Sequence, residues 1–123
     1  MAQKIYVDVD DTLVIWEYPS YINQDLVEVL QKGMNAGLID ITIWSGTGQP
    51  WAEKYSKFLF SEYNLETYSK DEKYDKIPSG SFAIDDRLQE ERKYLEGFDK
   101  VFLPADFVKY MSEWLNETCR RCS

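Results

Sequence analysis

Five short apolar segments, KIYVDV, LIDITIWS, LETYS, SFAID and DKVFL, recur along the chain, and their spacing limits the folds open to it. Each is the length of a strand and rich in β-branched or aromatic residues. Between the first two lies NQDLVEVLQKGMNAG, where Leu26, Val29, Leu30 and Met34 fall at helical spacing and Gly33 and Gly37 mark the end. QPWAEKYSKFLFSEYN follows the second strand as a helix with Pro50 in its first turn. KDEKYDKIPSG reads as a polar loop with turn chemistry at Pro78 and Gly80; LQEERKYL and ADFVKYMSEWLNE read as helices. The order β-α-β-α-β-loop-β-α-β-α predicts an α/β fold, a single-domain, Rossmann-like three-layer α/β/α sandwich on a mainly parallel five-stranded sheet. At 123 residues one domain is expected. It spans residues 1–117, and residues 118–123 are expected to form a C-terminal tail.

Composition removes several classes of function. With no histidine in the chain, Ser-His-Asp and Cys-His catalysis and histidine zinc sites are excluded. A general acid or base must then be Asp, Glu, Lys, Tyr or Cys. The net charge of −8 opposes non-specific attraction to nucleic acid or to an anionic membrane. No apolar run reaches the length of a membrane span, and MAQKIYV lacks the apolar core of a signal peptide, so a cytoplasmic protein is expected. Cys119 and Cys122, in TCRRCS, have no second pair to complete a zinc site and read as bystander thiols.

Charge gathers where strands should end. The first strand runs into Asp8, Asp10, Asp11 and Thr12; the second into Ser45, Gly46 and Thr47; the fourth into Asp85, Asp86 and Arg87. In open α/β sheets ligands bind at the carboxyl ends of strands, so these three segments should converge. Five carboxylates in one mouth need a counter-ion, and magnesium (Mg2+), a hard cation that pairs carboxylates with substrate phosphate, suits the donor set. An EF-hand reading of Asp8, Asp10 and Thr12 fails, because Leu13 and Pro19 stand where that loop needs glycine and glutamate.

These residues resemble the haloacid dehalogenase (HAD) superfamily of phosphohydrolases. VDVDDT resembles its Asp-x-Asp-x-Thr signature, ITIWS its second motif with Ser45, and FAIDD its closing acidic pair, Asp85 and Asp86. Lys76 in DKIPSG resembles the basic third motif, close to a proline as in similar members; Lys70 and Lys73 compete for that role. The resemblance covers residues 5 to about 86. It implies a phosphomonoester hydrolase in which Asp8 is the nucleophile, forming an aspartyl-phosphate, and Asp10 the general acid and base. It further implies a magnesium ion held by Asp8, the backbone carbonyl of Asp10 and Asp85, with Asp86 behind the ligands and Thr12 bracing the turn. Ser45, Gly46, Thr47 and Lys76 would hold the phosphoryl group. The intervals after Asp11 and between Ser45 and Lys76 are too short for the cap domain many members carry, so a capless member with a short flap at residues 13–22 is expected. Such an open site suits a large phosphorylated substrate, or closure by a second copy of the chain. Nucleotides, sugar phosphates, phosphoproteins and nucleic-acid ends all remain candidates. Trp16, Tyr18, Tyr21 and Trp51 lie near this mouth, either as packing or as a stacking surface.

Three rivals are weighed against the hydrolase. A signalling receiver domain needs a phosphoacceptor aspartate ending its third strand, and none ends a strand between residues 45 and 70. A non-catalytic scaffold would have no reason to keep both Asp8 and Asp10, and a phosphotransferase differs only in the final acceptor. The hydrolase reading requires that Asp8 and Asp85 meet, with no lysine or arginine filling the position of the ion.

Overall fold

The computed structural model describes residues 2–122, with side chains as far as Thr118. Among the described residues, five strands form one wholly parallel sheet. They are β1 (Gln3–Asp8), β4 (Ile39–Ser45), β5 (Glu66–Ser69), β6 (Phe82–Ile84) and β7 (Lys100–Phe102), in the order β5-β4-β1-β6-β7. The chain therefore winds outward from β1 in one direction, returns, and winds outward in the other, the doubly wound arrangement that alternation predicted. β2 (Val14–Ile15) and β3 (Tyr21–Ile22) form a small antiparallel hairpin at the position of the flap.

The two faces of the sheet are covered unequally. Along β1, Ile5 and Val7 enter one core while Tyr6 enters the other, the alternation a strand imposes. The Ile5 face is buried by three long helices, α1 (Gln24–Asn35), α2 (Gln49–Leu59) and α5 (Pro104–Cys122). Leu26 and Leu30 of α1 and Phe107 and Met111 of α5 are fully buried there. Gly33 lets α1 approach closely: a Cβ at this position would lie 2.8 Å from Cδ1 of Ile39. The opposite face is covered by two single turns, α3 (Lys70–Lys73) and α4 (Arg92–Leu95), and by the aromatics Tyr6, Trp44, Tyr68, Tyr74 and Phe98.

Four boundaries differ from the sequence reading. LQEERKYL supplies one helical turn rather than a full helix. α2 stops at Leu59 because Phe60 leaves helical geometry and is buried. The polar loop begins as the turn α3, whose first residue, Lys70, is inside the protein. The backbone stays helical to Cys122, so helix continues where a tail was expected; the side chains of Cys119 and Cys122 lie outside the described residues. No helix among the described residues is long and apolar enough to cross a membrane.

Candidate active site

Because every strand of the sheet is parallel, their carboxyl ends share one edge. Asp8 pairs in register with Trp44, and Val7 with Ile84, so the ends of β4, β1 and β6 are neighbours. This places Asp8, Ser45 and Asp85 side by side at the point where strand order reverses. Ser45 also pairs with Ser69, which sets Lys70 at the same edge, one strand further out. The Lys70 side chain passes Trp44, with Nζ 5.6 Å from the indole centroid, and reaches the carboxylates. Nζ lies 3.0 Å from Oδ1 of Asp8 and 2.7 Å from Oδ2 of Asp85, with Glu91 at 3.6 Å. Lys70 is fully buried, as is Asp85; Asp8 is nearly so.

The basic residue of the site is thus Lys70, which corrects the choice of Lys76. Lys76 is exposed beyond α3, where its N–H donates to the Lys73 carbonyl at 2.8 Å. Lys73 lies over the Tyr68 ring at 4.4 Å. The signal that could have found Lys70 is its position directly after a strand, shared with Asp8, Ser45 and Asp85.

Lys70 engages one oxygen of each aspartate, and each second oxygen has another donor. The Thr12 hydroxyl donates to Oδ2 of Asp8 at 3.2 Å and approaches Oδ1 of Asp86 at 3.5 Å. The Arg87 N–H donates to Oδ1 of Asp85 at 2.9 Å. Oxygens of Asp8, Asp85 and Asp86 lie within 4.8 Å of one another, close enough for one ion to bridge them. Asp86 therefore joins the group that sequence reasoning drew as Asp8, Asp10 and Asp85. All the donors are hard carboxylate oxygens, which fits magnesium or calcium and not a soft metal.

One ammonium does not balance three carboxylates. Burial pushes the Asp8 carboxyl up to about 8; Lys70 pulls against this and Asp85 adds to it. Burial, then Asp85, pushes Asp86 up to about 6. Burial also opposes the Lys70 charge, yet Asp8 and Asp85 outweigh it and hold the ammonium above the ordinary lysine range. Burial is the largest cause of both raised carboxyls, and the neighbouring carboxylates add a repulsion between them. A further cation would relieve it.

Beyond Asp8 the chain turns sharply. Asp11 sits in the left-handed region with φ 58°, which aspartate tolerates better than most residues. Its Oδ1 accepts the Trp16 backbone N–H at 3.0 Å, and this bond ties the hairpin to the site. Asp10 points toward two tryptophans: Oδ1 accepts the Trp16 indole N–H at 2.8 Å and the Trp51 indole N–H at 3.0 Å. The Thr47 hydroxyl donates to its Oδ2 at 3.3 Å. Neither indole was recognised as a functional donor from sequence. Ser45 is buried, and its Oγ accepts the Thr47 N–H at 3.0 Å, so it shapes the turn carrying Gly46 and Thr47. Arg87 is largely exposed and lies 3.6 Å from Asp11.

Asp8, Asp10, Gly46, Thr47, Asp86 and Trp16 are among the residues lining an open polar cleft of about 730 Å³. On the far side of Trp16 lies a more apolar groove of about 610 Å³, bordered by Tyr21, Ile22, Lys54 and Phe58. Comparison with family models, with curated proteins and with solved structures found no match to this chain.

Proposed function

We propose that this chain is a HAD-type, magnesium-dependent phosphomonoester hydrolase without a cap domain. The observation that carries the reading is the meeting of Asp8, Asp85 and Asp86 with a buried lysine at the carboxyl edge where strand order reverses. Asp8, Asp10, Ser45 and Asp85 follow the motif order of that superfamily, and Lys70 takes the place of its basic residue.

Uncatalysed hydrolysis of phosphate monoesters is so slow that enzymes reach accelerations of up to ~10²¹. Part of the barrier is the approach of an anionic nucleophile to an anionic phosphoryl group. Asp8 attacks phosphorus, and the aspartyl-phosphate that forms divides one difficult displacement into two easier ones. Lys70, fixed between Asp8 and Asp85, offsets charge on the nucleophile and on the phosphoryl oxygens. The Gly46–Thr47 turn lines the cleft and would lie beside those oxygens. Asp10 protonates the leaving oxygen and then takes a proton from the attacking water. Asp8, Asp85 and Asp86 would hold the magnesium ion, which when bound supplies positive charge to nucleophile and phosphate together. The substrate class is open to nucleotides, sugar phosphates, phosphoproteins and nucleic-acid ends.

The test is turnover of a chromogenic phosphate ester with and without chelator. Wild type should hydrolyse it only with magnesium, and Asp8→Asn should lose activity by at least about 10³-fold while still unfolding in a single cooperative transition. Wild-type turnover by Asp8→Asn would remove the nucleophile assignment. One observation favours a second reading. Asp8 and Asp85 meet as the first reading requires, but Lys70 lies between them, in the region that reading gives to the ion and requires to be free of lysine, as in a salt-bridged scaffold domain. In that case magnesium would leave the melting temperature unchanged and no ester would turn over.

A further inference from the structure

We infer that Trp16 and Trp51 form an indole clamp that positions Asp10 and fixes which of its oxygens carries the transferred proton. The inference rests on the hydrolase reading. It starts from a convergence the family motifs do not call for: two indole N–H groups, from the hairpin and from α2, meet on one carboxylate oxygen. The rings stack beside each other, with centroids 6.3 Å apart and planes inclined by 29°. Trp51 is held in turn by an edge contact with Tyr55 at 5.1 Å. Trp16 is held by its own backbone bond to Asp11. Trp51 is therefore anchored independently of Asp10, and Trp16 through its backbone and the stacked Trp51 ring.

An indole N–H donates and cannot accept. Two of them at 2.8 and 3.0 Å match in number the two lone pairs of Oδ1. A proton on Oδ1 would have to displace one of them, so the neutral acid carries its proton on Oδ2. That oxygen faces Thr47, whose hydroxyl lies 3.3 Å away and can turn to accept as readily as to donate. Thr47 lines the cleft. In the first half-reaction the bond from phosphorus to the ester oxygen breaks as the bond to Asp8 forms. The ester oxygen keeps the electron pair and takes the proton from Oδ2, leaving as an alcohol. In the second, water attacks the aspartyl-phosphate and gives its proton back to Oδ2. Inorganic phosphate forms and the electron pair returns to the Asp8 carboxylate. Trp16 and Trp51 are positioning residues throughout. Since Trp16 belongs to the hairpin, a segment of ten residues would do work that an inserted cap could otherwise supply.

The test compares an alkyl phosphate, whose poor leaving group needs the proton, with p-nitrophenyl phosphate, whose good leaving group needs it little. Trp16→Phe and Trp51→Phe keep a ring and remove the N–H. Each should lower the ratio of alkyl to aryl kcat about ten-fold, a share of the roughly 10²–10⁴ that general acid catalysis supplies. Equal losses on both esters, or none, would overturn the clamp. A readout free of activity uses the intact protein labelled with ¹⁵N at its four tryptophans. Asp10→Ala should move two of the four indole N–H resonances upfield as their acceptor is lost. If fewer than two move, the clamp is wrong even where the variants fold poorly. Wild type that turns over neither ester would instead remove the hydrolase reading, and the indole shifts would still report the contact.

Discussion

Lys70 brings a full positive charge into the interior and is held there by two aspartates, so its loss should be felt first in stability. Removing one partner of a buried ion pair leaves the other charges uncompensated, at a cost of about 3–5 kcal/mol. Lys70→Met should therefore destabilise the metal-free protein by about that amount in urea unfolding. Lys76→Met, at an exposed position, should stay within about 0.5 kcal/mol of wild type. If the two variants behave alike, the assignment of the buried lysine is wrong. Asp8 and Asp85 were legible in the sequence because each ends an apolar strand. Lys70 was legible only as a competitor of Lys76, since it opens a run of charged residues that looks solvated. Only the pairing of Ser69 with Ser45 shows that it faces the same edge. The tryptophans were harder still, because an indole between packing residues looks the same whether or not its N–H has a partner.

Among the elements, α1 is tied to the acidic turn through its cap. Asn23 accepts the Leu26 N–H at 3.3 Å and donates to the Thr12 carbonyl at 3.1 Å. Asn23→Ala should cost about 1 kcal/mol of stability, the usual loss for a cap of this kind. Because the same side chain holds Thr12, kcat should fall as well; stability lost with kcat intact would show that the cap and the turn act separately. Strands and long helices were readable because β-branched runs and helical spacing leave strong local signals. The single turns α3 and α4 were not, since their existence depends on the aromatic layer they pack against.

For the whole molecule, the burial of the Asp8 and Asp86 carboxyls fixes how stability responds to pH. Asp8 and Asp86 keep their protons in the folded state to about 8 and about 6, against 3.8 ordinarily. As pH rises above about 4 the unfolded chain loses these protons first, so the folded state binds more of them and stability falls with pH. In chelator, the melting temperature should decline between pH 5 and 8, and Asp8→Asn should flatten that decline. The raised Lys70 works in a higher range: its contribution is complete below its ordinary value and stays constant across this window. Added magnesium should raise the melting temperature more at pH 8 than at pH 5, because it takes the deprotonated carboxylates. A melting temperature that rises over this window in the chelated wild type, or that falls as steeply in Asp8→Asn as in wild type, would contradict this account.

Three long helices armour one side of the sheet, while the side that Lys70 crosses is roofed by two single turns and a few rings. Backbone amides of the turns α3 and α4 should accordingly exchange with deuterium sooner than those of α1. Any opening of that thin roof would admit water to the ammonium and slacken its grip on the two aspartates, so the proposed chemistry leans on the least insulated wall of the protein.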